Sequence, residues 1–372
     1  MFSTKRISQL KKDIESLFES ATTNHIFPGA VLGISFGLSH EKKKLCFFYG
    51  KHSYFPDQIN TAKETYYDLA SLTKPLATTL AVLCLLKKSI VSLNDTLPSL
   101  LAGDWDGEKK NITLKQLLSH CSGFPAYRPY YEIAKGLSFQ EAKEKIFLQL
   151  FKEPLVYHPG SKSEYSDLGF MLLGRIIEEK SGILLNEYVA NNVLKPLGLE
   201  ENLWFGALDG GNKKGIIFAP TENCPWRKKI LCGEVHDDNC YVMGGVAGHA
   251  GLFGNIEGVL SLTSFLLDQW YGRAAHPNYA NKDLASFFAR VGGSTWALGF
   301  DTPAPTASSG GRYISEKSVG HLGFTGTSFW IDYPRKLSMV LLSNRVHPDR
   351  NNNKIKEFRP VLHDSIIKNL YL

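Results

Sequence analysis

Two kinds of apolar pattern divide the chain. At its ends the pattern is that of strands: Gly29–Ser39 and Lys44–Gly50 are apolar runs joined by a polar turn. Near the C-terminus TSFWIDYP and KLSMVLLSN flank a turn at Tyr333-Pro334-Arg335-Lys336, and Leu337, Met339 and Leu341 recur at every second position. Helical spacing appears elsewhere. Ile7, Leu10, Ile14, Leu17 and Phe18 predict an amphipathic helix that packs on a domain face rather than adsorbing to a membrane. From Leu76 to Leu86 apolar residues cover nearly every face, as in a helix surrounded by protein. Residues 90–255 mix loops with helical stretches such as ITLKQLLSH and LGFMLLGRIIEEKSG, the latter ending at Gly182. Strand patterns return only near the C-terminus, and a last helix is expected from Lys354 to Leu370.

Strands at both ends and helices between them predict one α/β domain built from residues 1–75 and 256–372. Residues 76–255 then form a mostly helical inserted domain with loops over the cleft. No internal repeat is present. GGNKK (Gly210–Lys214), GRAAHPNYANK and PAPTASSGG read as mobile loops.

Composition narrows the class. The 372 residues are 43% apolar and 21% charged, an ordinary balance for a chain with a sizeable core. The net charge of +6 is dispersed, and the densest run, Lys42-Lys43-Lys44, sits in a turn, which argues against a nucleic-acid surface. Asp13, Glu15 and Glu19 interrupt the N-terminal segment, which lacks the apolar core of a signal peptide. The longest apolar run is too short to span a bilayer and contains Thr78 and Thr79. A soluble, cytoplasmic protein is expected. Six scattered cysteines then read as free thiols.

The candidate chemistry begins at ASLTKPLATTL (Ala70–Leu80). Ser71 and Lys74 share one face of a helix, and Pro75, comfortable only in a first turn, fixes the helix start close to Ser71. A serine there lies where backbone N–H groups can hold an oxyanion, and an adjacent amine with a lowered pKa can take its proton. A helix cap with a snorkelling lysine is the plain alternative. Further along stand Tyr165-Ser166-Asp167 and His321-Leu322-Gly323, the latter just before the strand–turn–strand. In this order the motifs resemble the serine β-lactamase-like family: class C β-lactamases, D-Ala-D-Ala carboxypeptidases and related esterases, which carry Ser-x-x-Lys, Tyr-x-Asn and Lys/His-x-Gly. LNDTLPSLL, ITLKQLLSHCSGFP, VYHPGSKSEYSD and GEVHDDNCYVMGGVAGHAGLF are similar to the family as well, over roughly residues 25–345.

The resemblance implies an α+β fold of the β-lactamase/transpeptidase type, an antiparallel sheet flanked by helices with a mostly helical inserted domain. It implies Ser71 as nucleophile, Lys74 as its base and Tyr165 as the second acid/base, with the amides of Ser71 and Phe324 as oxyanion hole. Asp167, His321 and Gly323 fall where the family binds substrate, and His236 and His249 lie in loops near the cleft, His236 as a candidate substrate contact with structural hydrogen bonding as the alternative for both. No metal or cofactor is implied.

Two departures bear on substrate. The family's asparagine is Asp167, an acceptor only, whose charge favours protonated Lys74 and shifts the burden of proton abstraction toward Tyr165. Where β-lactamases carry Lys-Thr-Gly the chain has His321-Leu322-Gly323, losing a charge-assisted contact of about 1.5–3 kcal/mol to a substrate carboxylate. Both changes favour neutral esters or amides. Arg345, with Arg350, is a candidate replacement anchor for a carboxylate.

Rival motifs are weaker. GISFG (Gly33–Gly37) matches a nucleophile elbow but lies inside a strand that leads to another strand. Cys224, Cys232, His236, Asp237, Cys240 and His249 crowd one region without zinc-ligand spacing. GGVAGHAG lacks the order of a dinucleotide loop, and His120 reads as tying down a loop. The expected activity is hydrolysis of small esters or amides through an acyl-enzyme on Ser71. The alternatives are a D-Ala-D-Ala carboxypeptidase, D-amino-acid peptidase or weak β-lactamase acting on peptidoglycan fragments, or a catalytically retired scaffold. The expected partner is a small-molecule substrate, with neither nucleic acid nor a membrane span.

Overall fold

The apolar patterns at the two ends of the chain meet in one sheet. A computed structural model of the protein describes residues 3–372 apart from 56–58, 207, 209–214, 275, 277 and 293, so the GGNKK stretch lies outside the described residues. The strands are β1 (Gly29–Phe36), β2 (Lys43–Gly50), β3 (Val319–Leu322), β4 (Ser328–Asp332) and β5 (Leu337–Ser343). They pair antiparallel throughout, in the order β2-β1-β5-β4-β3. The N-terminal β1 therefore lies beside the C-terminal β5, with Gly33 opposite Val340.

Alternation decides what covers each face. Ala30, Leu32 and Ile34 point with Leu337, Met339 and Leu341 toward α1 (Thr4–Thr23) and the C-terminal helix Ile355–Tyr371. Leu10, Ile14 and Phe18 of α1 bury there, so the amphipathic N-terminal helix packs on the sheet. Val31, Phe329, Ile331, Val340 and Leu342 point the other way, into a continuous core shared with the helical middle. That core contains α2 (Leu80–Lys87), α3 (Asp167–Ser181) and α4 (Ile256–Trp270), with α4 laid across β1 and β5. Ser35 of the GISFG motif is buried near the end of β1 opposite Ser338, a strand position rather than an elbow.

The expectation that strands return only near the C-terminus is corrected. Thr65–Asp68, Leu203–Phe205, Ile217–Phe218 and Leu252–Gly254 form a second small sheet. Runs this short contain too few alternations to show a period. The helical stretch Ala70–Lys87 has a mean hydropathy of 1.3 and is long and apolar enough to cross a membrane, but most of it is buried inside the protein. Its residues from Leu80 to Leu85 are all buried, which explains apolar positions on every face. All six cysteines are free thiols.

Candidate active site

The short strand Thr65–Asp68 delivers the chain to a strained turn. Ala70 has φ of +48°, a left-handed conformation unfavourable for alanine. Asp68 holds it in place: its buried carboxylate accepts from the Ala70 amide at 2.8 Å and from the His236 amide at 2.7 Å. One 3-10 turn (Ala70–Leu72) follows, then a π-helical segment (Lys74–Thr79) that runs into α2. Such wide turns concentrate at functional sites. Here the geometry sets Lys74 Nζ 3.0 Å from Ser71 Oγ.

Lys74 is completely buried, and three oxygens surround its amine. They are Ser71 Oγ at 3.0 Å, the His249 carbonyl at 3.0 Å and Asp167 Oδ1 at 2.7 Å. The Asp167 contact is close but poorly aligned as a hydrogen bond, so it acts mainly through charge. Burial pulls the Lys74 pKa down from 10.5; Asp167 and, less directly, Asp237 oppose it, and the net shift is downward. An ammonium offers hydrogens to all three oxygens. A neutral amine keeps two and turns its lone pair to the Ser71 hydroxyl. The same heavy-atom positions serve both forms, so a proton can pass between Ser71 and Lys74 without rearrangement.

Tyr165 approaches from the loop before α3. Its hydroxyl donates to Ser71 Oγ at 2.8 Å, and burial, then Asp167, pushes the phenol well above its usual pKa. Ser166 caps α3, accepting from the Gly169 amide and donating to the Pro125 carbonyl. His120 Nδ1 accepts from the Ser166 amide at 3.1 Å, and its ring packs 4.8 Å from that of Tyr165. Burial, then Lys74 and His321, presses the His120 pKa well below 6.5, so a neutral imidazole props the tyrosine. Trp296 packs at 5.3 Å from the same ring.

The end of β3 closes the site. A Cβ on Gly323 would stand 2.8 Å from the Leu69 carbonyl, so only glycine lets the strand end approach the Ser71 turn this closely. Thr325 and Thr327 clamp it there, donating to the carbonyls of Asp68 (2.8 Å) and Leu69 (3.2 Å). Neither the Ser71 nor the Phe324 amide is engaged in the turn and loop hydrogen bonds of the described residues. His321 is buried and donates Nδ1–H to the Leu322 carbonyl at 2.9 Å. Burial and then Lys74 push its pKa down to about 3, which fixes the imidazole as neutral.

Two sequence-derived substrate contacts are corrected. Arg345 donates to the carbonyls of Phe324, Arg350 and Asn352 and lies 4.4 Å from the Phe324 ring centre, so its guanidinium pins loops rather than anchoring a carboxylate. His236 is buried with Nε2 3.2 Å from Glu222, and its ring stacks on Phe324 at 5.5 Å. It supports Phe324 from behind. Arg350 is held by Glu222 and Asp238. Asp167 sits on Lys74, and Gly323 and His321 lie at the cleft edge beside Leu69 and Tyr165.

The sequence reading missed Trp296 and the His249 backbone carbonyl, and it weighed Asp237 only as a metal ligand. It also missed Tyr127, half-exposed beside the site, whose phenol is pushed up by burial and then by Asp237, Asp238, Tyr131 and Asp167. Only the proximity of CSGFPAY to His120 pointed toward Tyr127.

The antiparallel sheet flanked by helices is that of the hydrolases of the β-lactamase/penicillin-binding-protein fold. The chain belongs to the Beta-lactamase family, whose sequence pattern matches residues 15–360. A putative D-alanyl-D-alanine carboxypeptidase of Salmonella typhi is 33% identical over 322 residues, covering 80% of this chain and 73% of that protein. The structure of EstCE1, described as a hydrolase with promiscuous acyltransferase activity, superposes with a TM-score of 0.74 at 20% identity, covering 98% of this chain and 100% of the other. An octameric penicillin-binding protein homologue from Pyrococcus abyssi gives 0.71 at 18% identity, covering 98% of this chain and 79% of the other. At these identities the two structures speak for the fold alone.

Proposed function

We propose that the protein is a serine hydrolase that forms an acyl-enzyme on Ser71 and acts on small esters or amides. The observation that carries this reading is the position of Ser71 Oγ, 3.0 Å from Lys74 Nζ and 2.8 Å from the Tyr165 hydroxyl. Ser71 attacks the substrate carbonyl while its proton passes to the neutral amine of Lys74. The amides of Ser71 and Phe324 take the developing oxyanion. Tyr165 gives its proton to the leaving alkoxide or amine and becomes a phenolate beside the Lys74 ammonium. Water then attacks the acyl group, its proton returns to Tyr165, and Lys74 returns the first proton to the departing Ser71 oxygen. Every group ends as it began. Neutral substrates are favoured because His321 is uncharged, Arg345 is tied to carbonyls and Arg350 is neutralised by two carboxylates.

A second reading, a D-Ala-D-Ala carboxypeptidase acting on peptidoglycan fragments, draws support from the name of the Salmonella relative. One assay separates the two: turnover of p-nitrophenyl butyrate against D-alanine release from a peptide ending in D-Ala-D-Ala. Ester turnover that Ser71→Ala abolishes is the expected result. Faster D-alanine release would favour the second reading, and activity unchanged in Ser71→Ala would overturn both.

A further inference from the structure

His249 is held through both its side chain and its backbone. Its side chain is buried, with Nε2 3.0 Å from Asp237 Oδ1, while its backbone carbonyl accepts from Lys74 at 3.0 Å. The same Asp237 oxygen accepts from the Cys240 amide at 2.8 Å, capping the short helix Asp238–Val242. We propose that Asp237 and His249 are positioning residues for Lys74: their side-chain pair fixes the loop that presents the His249 carbonyl to the amine, and Asp237 adds a second negative charge to the surroundings of that amine. This rests on the reading of Lys74 as the base for Ser71.

The loop has little freedom. A Cβ on Gly248 would stand 2.0 Å from the Phe170 carbonyl of α3, so the backbone is pressed directly onto that helix. The Gly248 carbonyl accepts from Thr78 at 2.7 Å, about one turn beyond Lys74 on the Ser71 helix. A loop wedged between the helices that carry Lys74 and follow Tyr165 holds its next carbonyl at a set distance from the amine.

The charges facing Lys74 can be named element by element. Ser71 lies on the turn that leads into its own helical stretch, Tyr165 comes from the loop before α3 and Asp167 from the first residue of α3. Asp237, Cys240 and His249 come from the 237–249 segment, and His120 and His321 lie within electrostatic reach as neutral imidazoles. The Cys240 thiol is pushed well above its usual pKa by burial and then by Asp237 and Asp68, so it stays uncharged. Two anions therefore oppose burial at Lys74. Asp237 is a lasting one: burial pushes its carboxyl up, but His249 and the Cys240 amide outweigh that and hold it well below the usual range.

The test is the pH profile of kcat/KM on p-nitrophenyl butyrate for Asp237→Asn, which keeps the acceptor for the cap and removes the charge. The acid limb, set by loss of the Lys74 proton, moves to lower pH by about half a unit or more. His249→Ala moves it as well and lowers kcat, and His249→Gln restores part of the loss. A second readout needs no turnover: the 13C NMR titration of Lys74 in a Ser71→Ala background shifts its midpoint downward by a similar interval when Asp237→Asn is added. An acid limb and a Lys74 midpoint that stay fixed, with rate lost equally at every pH, would show a merely structural pair and overturn the proposal. Should the unmodified protein turn over no ester, the ester-hydrolase reading fails, while the Lys74 titration still decides this one.

Discussion

Two charge clusters, one around Lys74 and one around Arg350, handle burial in opposite ways. Around Lys74 the cation meets one poorly aligned carboxylate, Asp167, and a more distant one, Asp237, and burial wins: its pKa falls, and the phenol of Tyr165 rises. Around Arg350 pairing wins. Arg350 is forked by Glu222 and Asp238, Asp238 also accepts from Arg227 and Trp226, and His236 faces Glu222. Burial pushes Glu222 up, yet His236 and Arg350 outweigh it and the carboxyl sits at about 2, while Arg350 moves above its usual value, led by its bonds to Glu222. Both clusters bring a cation to carboxylates, yet one is a centre poised to exchange a proton and the other a centre locked in its charged form. Completeness of pairing, rather than burial, separates reactive from structural charge.

The largest expected effect breaks the reactive cluster. Ser71→Ala lowers kcat about 10⁴-fold or more in the ester assay, with unchanged folding by circular dichroism. Tyr165→Phe follows at about 10²–10³-fold in kcat, because the leaving group loses its proton donor. Substitution in the locked cluster moves stability instead. Glu222→Ala leaves Arg350 and His236 short of an anion and destabilises the protein by about 3 kcal/mol in urea unfolding. The sign of its pH dependence follows from a folded pKa near 2 against an ordinary 4.5. Glu222 contributes stability above about pH 4.5, and that contribution fades as pH falls toward about 2. Glu222→Gln therefore flattens the acid loss of stability over that window. The smallest effect sharpens the contrast. Asp167→Asn removes the nearer anion from Lys74, lowers its pKa further and moves the acid limb of kcat/KM to lower pH by about one unit, with folding unaffected.

Much of this was legible in the sequence, for physical reasons. The β1, β4 and β5 runs are long enough to show their period, and Ser71, Lys74 and Tyr165 stand in motifs whose residue types are fixed by their chemistry. The short strand before Ser71 was invisible because four residues carry no period. The His249 carbonyl was invisible because a backbone acceptor leaves no residue signature; the sequence pointed to the imidazole, and the structure uses the peptide bond. Arg345 was misplaced because the direction of a long side chain after a strand end depends on where the next loop puts its carbonyls.

The claim beneath the whole account is that the Ser71 hydroxyl, flanked by an amine and a phenol, is the group that becomes acylated. Peptide-mapping mass spectrometry after a short exposure to a fluorophosphonate probe tests it most directly. The account requires one adduct per chain, on the peptide containing Ser71, formed faster as pH rises through the acid limb and absent in Ser71→Ala. An adduct on any other residue, or equal labelling of Ser71→Ala, would contradict it.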